Sequence, residues 1–368
     1  MYKLTNGQRR CFALLPVDPS WEPMELKPSP YDRHTTVAYL DGTLLRKVIL
    51  SGEKQYVEYE ICEKLSDDRK YLLPKTPKGK PVLLSAATLT KRTGIGMCLT
   101  WSQNNGHTYI DLYNHRSQKS YYSNAYEDTR SCAENEFDAW VARWCTETTD
   151  GDLTELTRFS AEPRQHVKFR EGDVFRFRIN RRLYGYGRIL LDYALMRKQK
   201  IPFWDILMGK PLACSVYHIV TERTDVTVEE LRSLRTLPSV HIMDNKLFYG
   251  EFEIIGNIPI GAQEDYPIMY GNSIDARYRA VLLQCGKLYR RDDSGKALFR
   301  SFSHHGISFH LRFKLDVLLA CIAAESNEPY WIQTDRQLFS QDLRNPKYRT
   351  ELEQVCKQFD LDPSVLIR

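Results

Sequence analysis

Asp173-Val-Phe-Arg-Phe-Arg-Ile-Asn180, followed by Tyr184-Gly-Tyr-Gly-Arg-Ile-Leu-Leu191, decides the fold class. The first segment alternates apolar and basic residues with period two, the pattern of a half-buried β-strand. Phe175, Phe177 and Ile179 fall on one face, and Arg176, Arg178 and Asn180 on the other. The second segment reads as its neighbouring strand. Gly185 and Gly187 mark a bulge or a close backbone approach in a twisted sheet.

Outward from this pair, the pattern on both sides is a mixture of strands and short helices. Downstream, Val216 to Val220 reads as a third strand. Thr227-Val-Glu-Glu230 has capping-box spacing and opens a short helix to about Arg235. Glu251 to Ile255 is a later strand. From His310 onward the chain turns helical. Leu311 to Ala324 is strongly apolar, and Leu352, Val355, Cys356 and Phe359 recur at helical spacing.

Upstream, Thr148 to Pro163 is polar and reads as a linker. Ser131-Cys-Ala-Glu134 is a second capping box, ahead of a helical stripe of Phe137, Trp140, Val141, Trp144 and Cys145. Val37 to Leu45 reads as a hairpin turning at Asp41-Gly42. Tyr56 to Cys62, Gly79 to Leu89 and Thr108 to Tyr113 are further strand candidates. Pro16, Pro19, Pro23, Pro28 and Pro30 make 16–30 an irregular surface arm. The expectation is therefore an α+β chain. It has two β-rich domains of mostly antiparallel sheet, a few amphipathic helices and a helical C-terminal tail. The expected divisions are an arm at 1–34, a β-rich domain at 35–155, an α+β domain at 165–300 and a helical extension at 301–368.

Composition limits the functional classes. The chain has 368 residues, 42% of them hydrophobic and 27% charged, so it can bury a substantial core. No apolar stretch reaches the length of a spanning helix. The nine cysteines are scattered without a C-x-x-C pair, which argues for reduced thiols in a cytoplasm. The net charge of +5 does not by itself imply nucleic acid.

Candidate chemistry is sparse. His304, His305 and His310 lack a ligand-like carboxylate spacing, and adjacent histidines on a strand point to opposite faces. Thr93-Gly-Ile-Gly96 and Gly185-Tyr-Gly187 do not extend to a phosphate-binding loop. No G-x-S-x-G elbow occurs. No catalytic residue, metal or cofactor is expected. Trp204, in Ile201 to Met208, is read as core. Arg176, Arg178, Arg181 and Arg182 interleave with Tyr184 and Tyr186, as in some nucleic-acid binders. The alternation instead puts the phenylalanines in the core and leaves the arginines solvated, so a nucleic-acid partner is not expected. Charge is segregated: twelve Lys/Arg against five Asp/Glu in 161–210, and ten Asp/Glu against four Lys/Arg in 219–275. Either the two stretches are mutually compensating surfaces or they form a bipolar docking face.

The run Phe169-Arg-Glu-Gly172-Asp173-Val-Phe175-Arg-Phe-Arg-Ile, with Tyr184-Gly185-Tyr-Gly187-Arg-Ile-Leu, resembles the opening of the bacterial immunity protein 26 family. Val216-Tyr-His and Phe252-Glu-Ile-Ile-Gly are similar to its later strands. The resemblance covers about residues 167–300. It implies an α+β domain in a cytoplasmic protein that neutralises a cognate toxin of a polymorphic or contact-dependent system, and the expected mechanism is stoichiometric occlusion. The expected partner is then a protein toxin domain, with no membrane partner and the oligomeric state open. Charge alone nominates Asp244, Tyr249, Glu251 and Glu253 as partner-binding residues. Gly172, Asp173, Phe175, Tyr184, Gly185 and Gly187 carry the family motif in a structural role. A nucleic-acid-binding protein, which would need Arg176, Arg178, Arg181 and Arg182 to form one contiguous basic face, is the second alternative. A phosphotriesterase-type metal hydrolase is the first alternative reading. It would need His218, His241, His304, His305 or His310 to converge with carboxylates.

Overall fold

A computed structural model describes residues 2–28, 34–130, 136–203, 209–262, 264–272, 280–293, 295–299, 308–335 and 341–367. It divides into two compact units, Met1–Gln165 and His166–Arg368. The capping box at 131–134, Trp204, and His304 with His305 lie outside the described residues.

The first unit opens with helix α1 (Asn6–Arg10) and strands β1 (Glu22–Leu26), β2 (His34–Asp41), β3 (Leu44–Gly52) and β4 (Gln55–Leu65). The short pieces β5 (Tyr71–Leu73), β6 (Val82–Leu83) and α2 (Ala86–Leu89) follow, then β7 (Met97–Asn104), β8 (His107–Asn114) and β9 (Lys119–Ser123). Helices α3 (Glu136–Glu147) and α4 (Asp150–Ala161) close the unit. The strands form one antiparallel sheet in the order β1-β2-β3-β4-β7-β8-β9, with β5 and β6 branching from β4. Gly42 makes the β2–β3 turn at φ +61°, and Asn105-Gly106 makes the β7–β8 turn with both φ values positive. The latter is the dipeptide that a type I′ hairpin requires.

The α3 stripe is buried as its spacing predicts: Phe137, Trp140, Val141 and Trp144 all lie in the core. Phe12 stacks on Trp140 and Trp144, with centroids 5.6 and 5.5 Å away. Behind this aromatic layer sits a buried ionic cluster. Glu58 accepts from Arg9 Nε at 2.7 Å, from Lys47 Nζ and from the Tyr56 hydroxyl. Burial pushes the Glu58 carboxyl up, but Lys47 and Arg9 together hold it below its ordinary value.

Three expectations for this unit are corrected. Residues 22–26 are not irregular but an edge strand. Pro23 is tolerated because β1 pairs on one side only, with β2. The stretch 148–163 is not a linker but carries α4, capped by a Thr149–Asp152 capping box and anchored by buried Leu156. Residues 79–89 are not one strand: only Val82 and Leu83 are extended, and Ser85 then caps α2.

The second unit contains β10 (Asp173–Arg178), β11 (Tyr184–Asp192), α5 (Tyr193–Lys198), β12 (Pro211–Val216), α6 (Val228–Arg232), β13 (Val240–Met243), α7 (Asn245–Phe248) and β14 (Glu253–Asn257). Next come β15 (Ile268–Asn272), β16 (Val281–Cys285) and β17 (Leu288–Asp292), then α8 (Leu315–Ala323), α9 (Glu328–Asp335) and α10 (Arg349–Gln358). Five strands form an antiparallel sheet in the order β13-β12-β11-β10-β14, and β15-β16-β17 form a second one. The protein is α+β, as the sequence pattern predicts. The expected third strand is displaced: β12 ends at Val216, and Tyr217 makes only an isolated bridge to Thr236.

Both faces of the five-stranded sheet are covered. Phe175 and Phe177 pack against Phe252, and Phe177 against Phe313. On the opposite face Val174 and Tyr186 bury against Val226 and Leu231 of the α6 segment. Helix α10 packs Leu352, Val355 and Cys356 against Tyr270, Val281 and Leu283 of the smaller sheet. Buried Arg344 ties the unit together. Its guanidinium donates to Asp342, to Asp265 Oδ2 at 2.8 Å and to the Ser239 carbonyl at 2.9 Å.

Candidate functional site

The motif residues of β10 and β11 lock together sterically. Phe175 lies opposite Gly187, and Phe177 opposite Gly185. A Cβ added at Gly185 would come within 2.5 Å of the Phe177 ring. One at Gly187 would come within 2.6 Å of the Phe175 ring and 2.7 Å of the Ser215 carbonyl oxygen. The glycines therefore provide the space over which the two rings lie, and a close approach rather than a bulge explains them. Gly172 makes a turn at φ +87°, where its added Cβ would meet the Ile258 carbonyl oxygen at 2.7 Å. Asp173 fixes that turn. It accepts from the Arg170 backbone N–H and from Asn257 Nδ2, both at 2.8 Å.

The outward side chains of these strands are held, not loose. The Arg176 and Arg178 guanidinium carbons sit 5.2 and 5.0 Å from the centroid of the Tyr184 ring. Arg176 donates to Glu253 at 2.5 Å and to the Thr224 carbonyl. Arg178 donates to the Arg181 carbonyl at 2.9 Å. Arg181 itself is buried. The expectation of solvated arginines is corrected here, because Arg176 is only 18% exposed. The sequence motif thus builds a tethered Arg–Tyr–Arg stack instead of an open basic stripe.

The acidic nominees lie on one short stretch, in different settings. Asp244 precedes α7 and is half-buried. Burial raises its carboxyl above the ordinary range against the pull of Lys210. Tyr249 is half-buried, near His166 and Phe248. Glu251 is held by Lys246 at 2.5 Å in a largely buried pair. Glu253 reaches solvent at 60% side-chain exposure while paired with Arg176. Other members of the acidic stretch are compensated too: Glu264 by Arg188, Asp265 by Arg344, and Glu230 by Arg223. Arg176–Glu253 and Arg188–Glu264 join the basic and acidic stretches directly, which favours mutual compensation over a bipolar face.

The histidines occupy separate settings. The His218 ring bonds Asn327 at 2.9 Å, and the His241 ring bonds the Tyr193 hydroxyl at 2.9 Å. His310 is pushed down to about 4 by burial, with Lys246 and Lys314 adding to the effect. Among the described residues no group of three or more His, Cys, Asp or Glu is placed to hold a metal ion. The described cysteines are all free thiols. No described helix is long and apolar enough to cross a membrane.

Sequence reasoning passed over one feature, the hairpin of α8 and α9. A cavity of about 510 Å³ opens there beside Trp331 and Ile332. The available signal was the composition of 315–335, which is apolar and carries acidic residues without a single Lys or Arg. In the first unit, a cleft of about 990 Å³ is lined by Arg10, Arg116, Glu60 and Asp150, among others.

No curated protein and no solved structure matches the chain. A family model covers β10 through β15 up to the edge of β16 and supports an immunity-protein role in general. Residues 170–280 match the family model of Immunity protein 26, on the segment that carries the Gly–Phe interlock.

Proposed function

We propose that this chain is an immunity protein that binds a cognate bacterial toxin domain and neutralises it by stoichiometric occlusion in the cytoplasm. The observation that carries the proposal is the coincidence of the family match with a sheet built around the motif's own residues. Gly185, Gly187, Phe175 and Phe177 form a rigid scaffold, as a preformed binding surface needs. Their role is to hold the surface, not to touch the toxin. In this reading the 244–253 stretch contributes to the partner surface through Asp244, Tyr249, Glu251 and Glu253. Glu253 is the exposed member, and its engagement competes with Arg176.

Affinity capture of the tagged chain from its native cells, with mass spectrometry of the eluate, tests the proposal. The expected result is a toxin domain recovered in equimolar amount. Elution of the chain with no toxin domain, from cells that express one, refutes it.

A further inference from the structure

We infer that the α8–α9 hairpin is a further docking surface, additional to the 244–253 stretch, for a basic face of the toxin domain, one that presents an apolar side chain between Lys or Arg residues. The inference rests on the immunity reading above and adds a contact to it. Residues 315–335 carry Asp316, Glu325, Glu328 and Asp335 and no Lys, Arg or His, in a chain of net charge +5. On α8 the solvent-exposed residues Asp316, Leu319, Ala320 and Ala323 recur at i, i+3, i+4 and i+7, a single helical stripe. Leu319 is 47% exposed. On α9, Glu328 and Ile332 share a face at i and i+4, and Ile332 is 52% exposed. An apolar centre with a charged rim is the anatomy of a protein-binding patch.

The cavity beside Ile332 is preformed. Asn327 anchors one wall by donating to the Thr236 carbonyl at 3.0 Å and bonding the His218 ring at 2.9 Å. Asn345 holds the other wall by donating to the Trp331 carbonyl at 3.5 Å and accepting from the Lys347 N–H at 3.2 Å. At about 510 Å³ the cavity has room for one large apolar side chain.

Charge selects the occupant. The carboxylates of the 219–275 stretch are largely neutralised by ion pairs, as described above. Asp316, Glu325 and Glu328 have no cation within salt-bridge distance among the described residues. Across a two-fold axis a second copy of this chain would set the α8–α9 carboxylates against each other, with Lys347 at the cavity offsetting them only in part. An anionic lipid surface or a nucleic acid would be repelled by it. A basic protein face is attracted, and it is the face that a toxin acting on nucleic acid exposes.

The test uses the full chain and, as probe, the toxin domain recovered by affinity capture, inactivated by substitution. Leu319→Ser with Ile332→Ser is expected to weaken binding at least about 30-fold, the size of a hot-spot loss, with an unchanged circular dichroism spectrum. Asp316→Asn, Glu325→Gly and Glu328→Gln together are expected to slow association about tenfold at low salt and to flatten its salt dependence. Glu325→Gly guards against misfolding, because Glu325 sits at φ +48°, where glycine is the less strained residue. Binding within twofold of the unaltered chain for both variant sets overturns the inference while leaving the immunity reading intact. So does a photo-crosslinker at position 319 that captures a second copy of this chain. Recovery of no toxin domain by the unaltered chain overturns both.

Discussion

Replacing Gly185 by Ala inserts one methyl group 2.5 Å from Phe177 Cζ and 3.1 Å from Ile179 Cδ1. Gly185 does not occupy the left-handed region, so the cost is steric and not conformational. Overpacking a filled core by one carbon costs about 1–3 kcal/mol. Backbone amides of β10 and β11 should then exchange hydrogen roughly 5- to 150-fold faster, since about 1.4 kcal/mol is a factor of ten. Hydrogen exchange read by mass spectrometry localises the effect to this sheet. The two glycines should also respond differently to rescue. The three atoms nearest an added Gly185 Cβ all belong to side chains, so Phe177→Leu should recover most of the loss, and the double variant should beat additivity by about 1 kcal/mol or more. Gly187 also faces the Ser215 carbonyl oxygen at 2.7 Å, across the β11–β12 pairing, so Phe175→Leu should rescue Gly187→Ala only in part. If Gly185→Ala leaves exchange within twofold, or if the Phe177 rescue is simply additive, the interlock is not what these residues provide.

Glu58→Gln leaves Arg9 and Lys47 as buried cations and should cost the first unit about 3–5 kcal/mol in urea unfolding followed by tryptophan fluorescence. Because the Glu58 pKa is lowered in the folded chain, its stabilisation is complete above the ordinary value of 4.5 and is lost as pH falls below it. The Gln variant should lack that acid limb. His310 should titrate near 4 by NMR instead of at its ordinary 6.5. Its lowered pKa makes the unfolded chain the better proton binder, so stability falls as pH drops from 6.5 towards 4, and His310→Gln should flatten that slope. Arg344→Met strips the guanidinium from buried Asp342 and should cost about 3–5 kcal/mol in the second unit. Arg344→Lys, which keeps the charge but not the planar fork, should cost less in the same urea titration.

The parts of the fold that were legible in sequence are those fixed by short-range periodicity. The alternation in 173–180 placed Phe175 and Phe177 on a buried face, and the α3 stripe placed Phe137, Trp140 and Trp144 in the core. The α4 helix was hidden because its apolar contribution is thin: Leu156 alone is fully buried, beside half-buried Leu153 and Phe159 in an otherwise polar run. The β1 strand was hidden by prolines that an edge position tolerates. Charge was the least legible property. Arg176 and Glu253 are 77 positions apart, and only the sheet order β11-β10-β14 brings them together. A net count over 219–275 does not reveal that Glu251 pairs with Lys246 and Glu253 with Arg176, and the carboxylates at 316, 325 and 328 lie inside a run read for its apolar residues.

The most direct test of the immunity claim is growth under toxin expression. The captured toxin domain, expressed alone, should arrest cells. Co-expression of this chain should restore growth, and the purified pair should elute as an equimolar complex. Continued arrest despite abundant chain, or a toxin domain that elutes separately from it, would contradict the account.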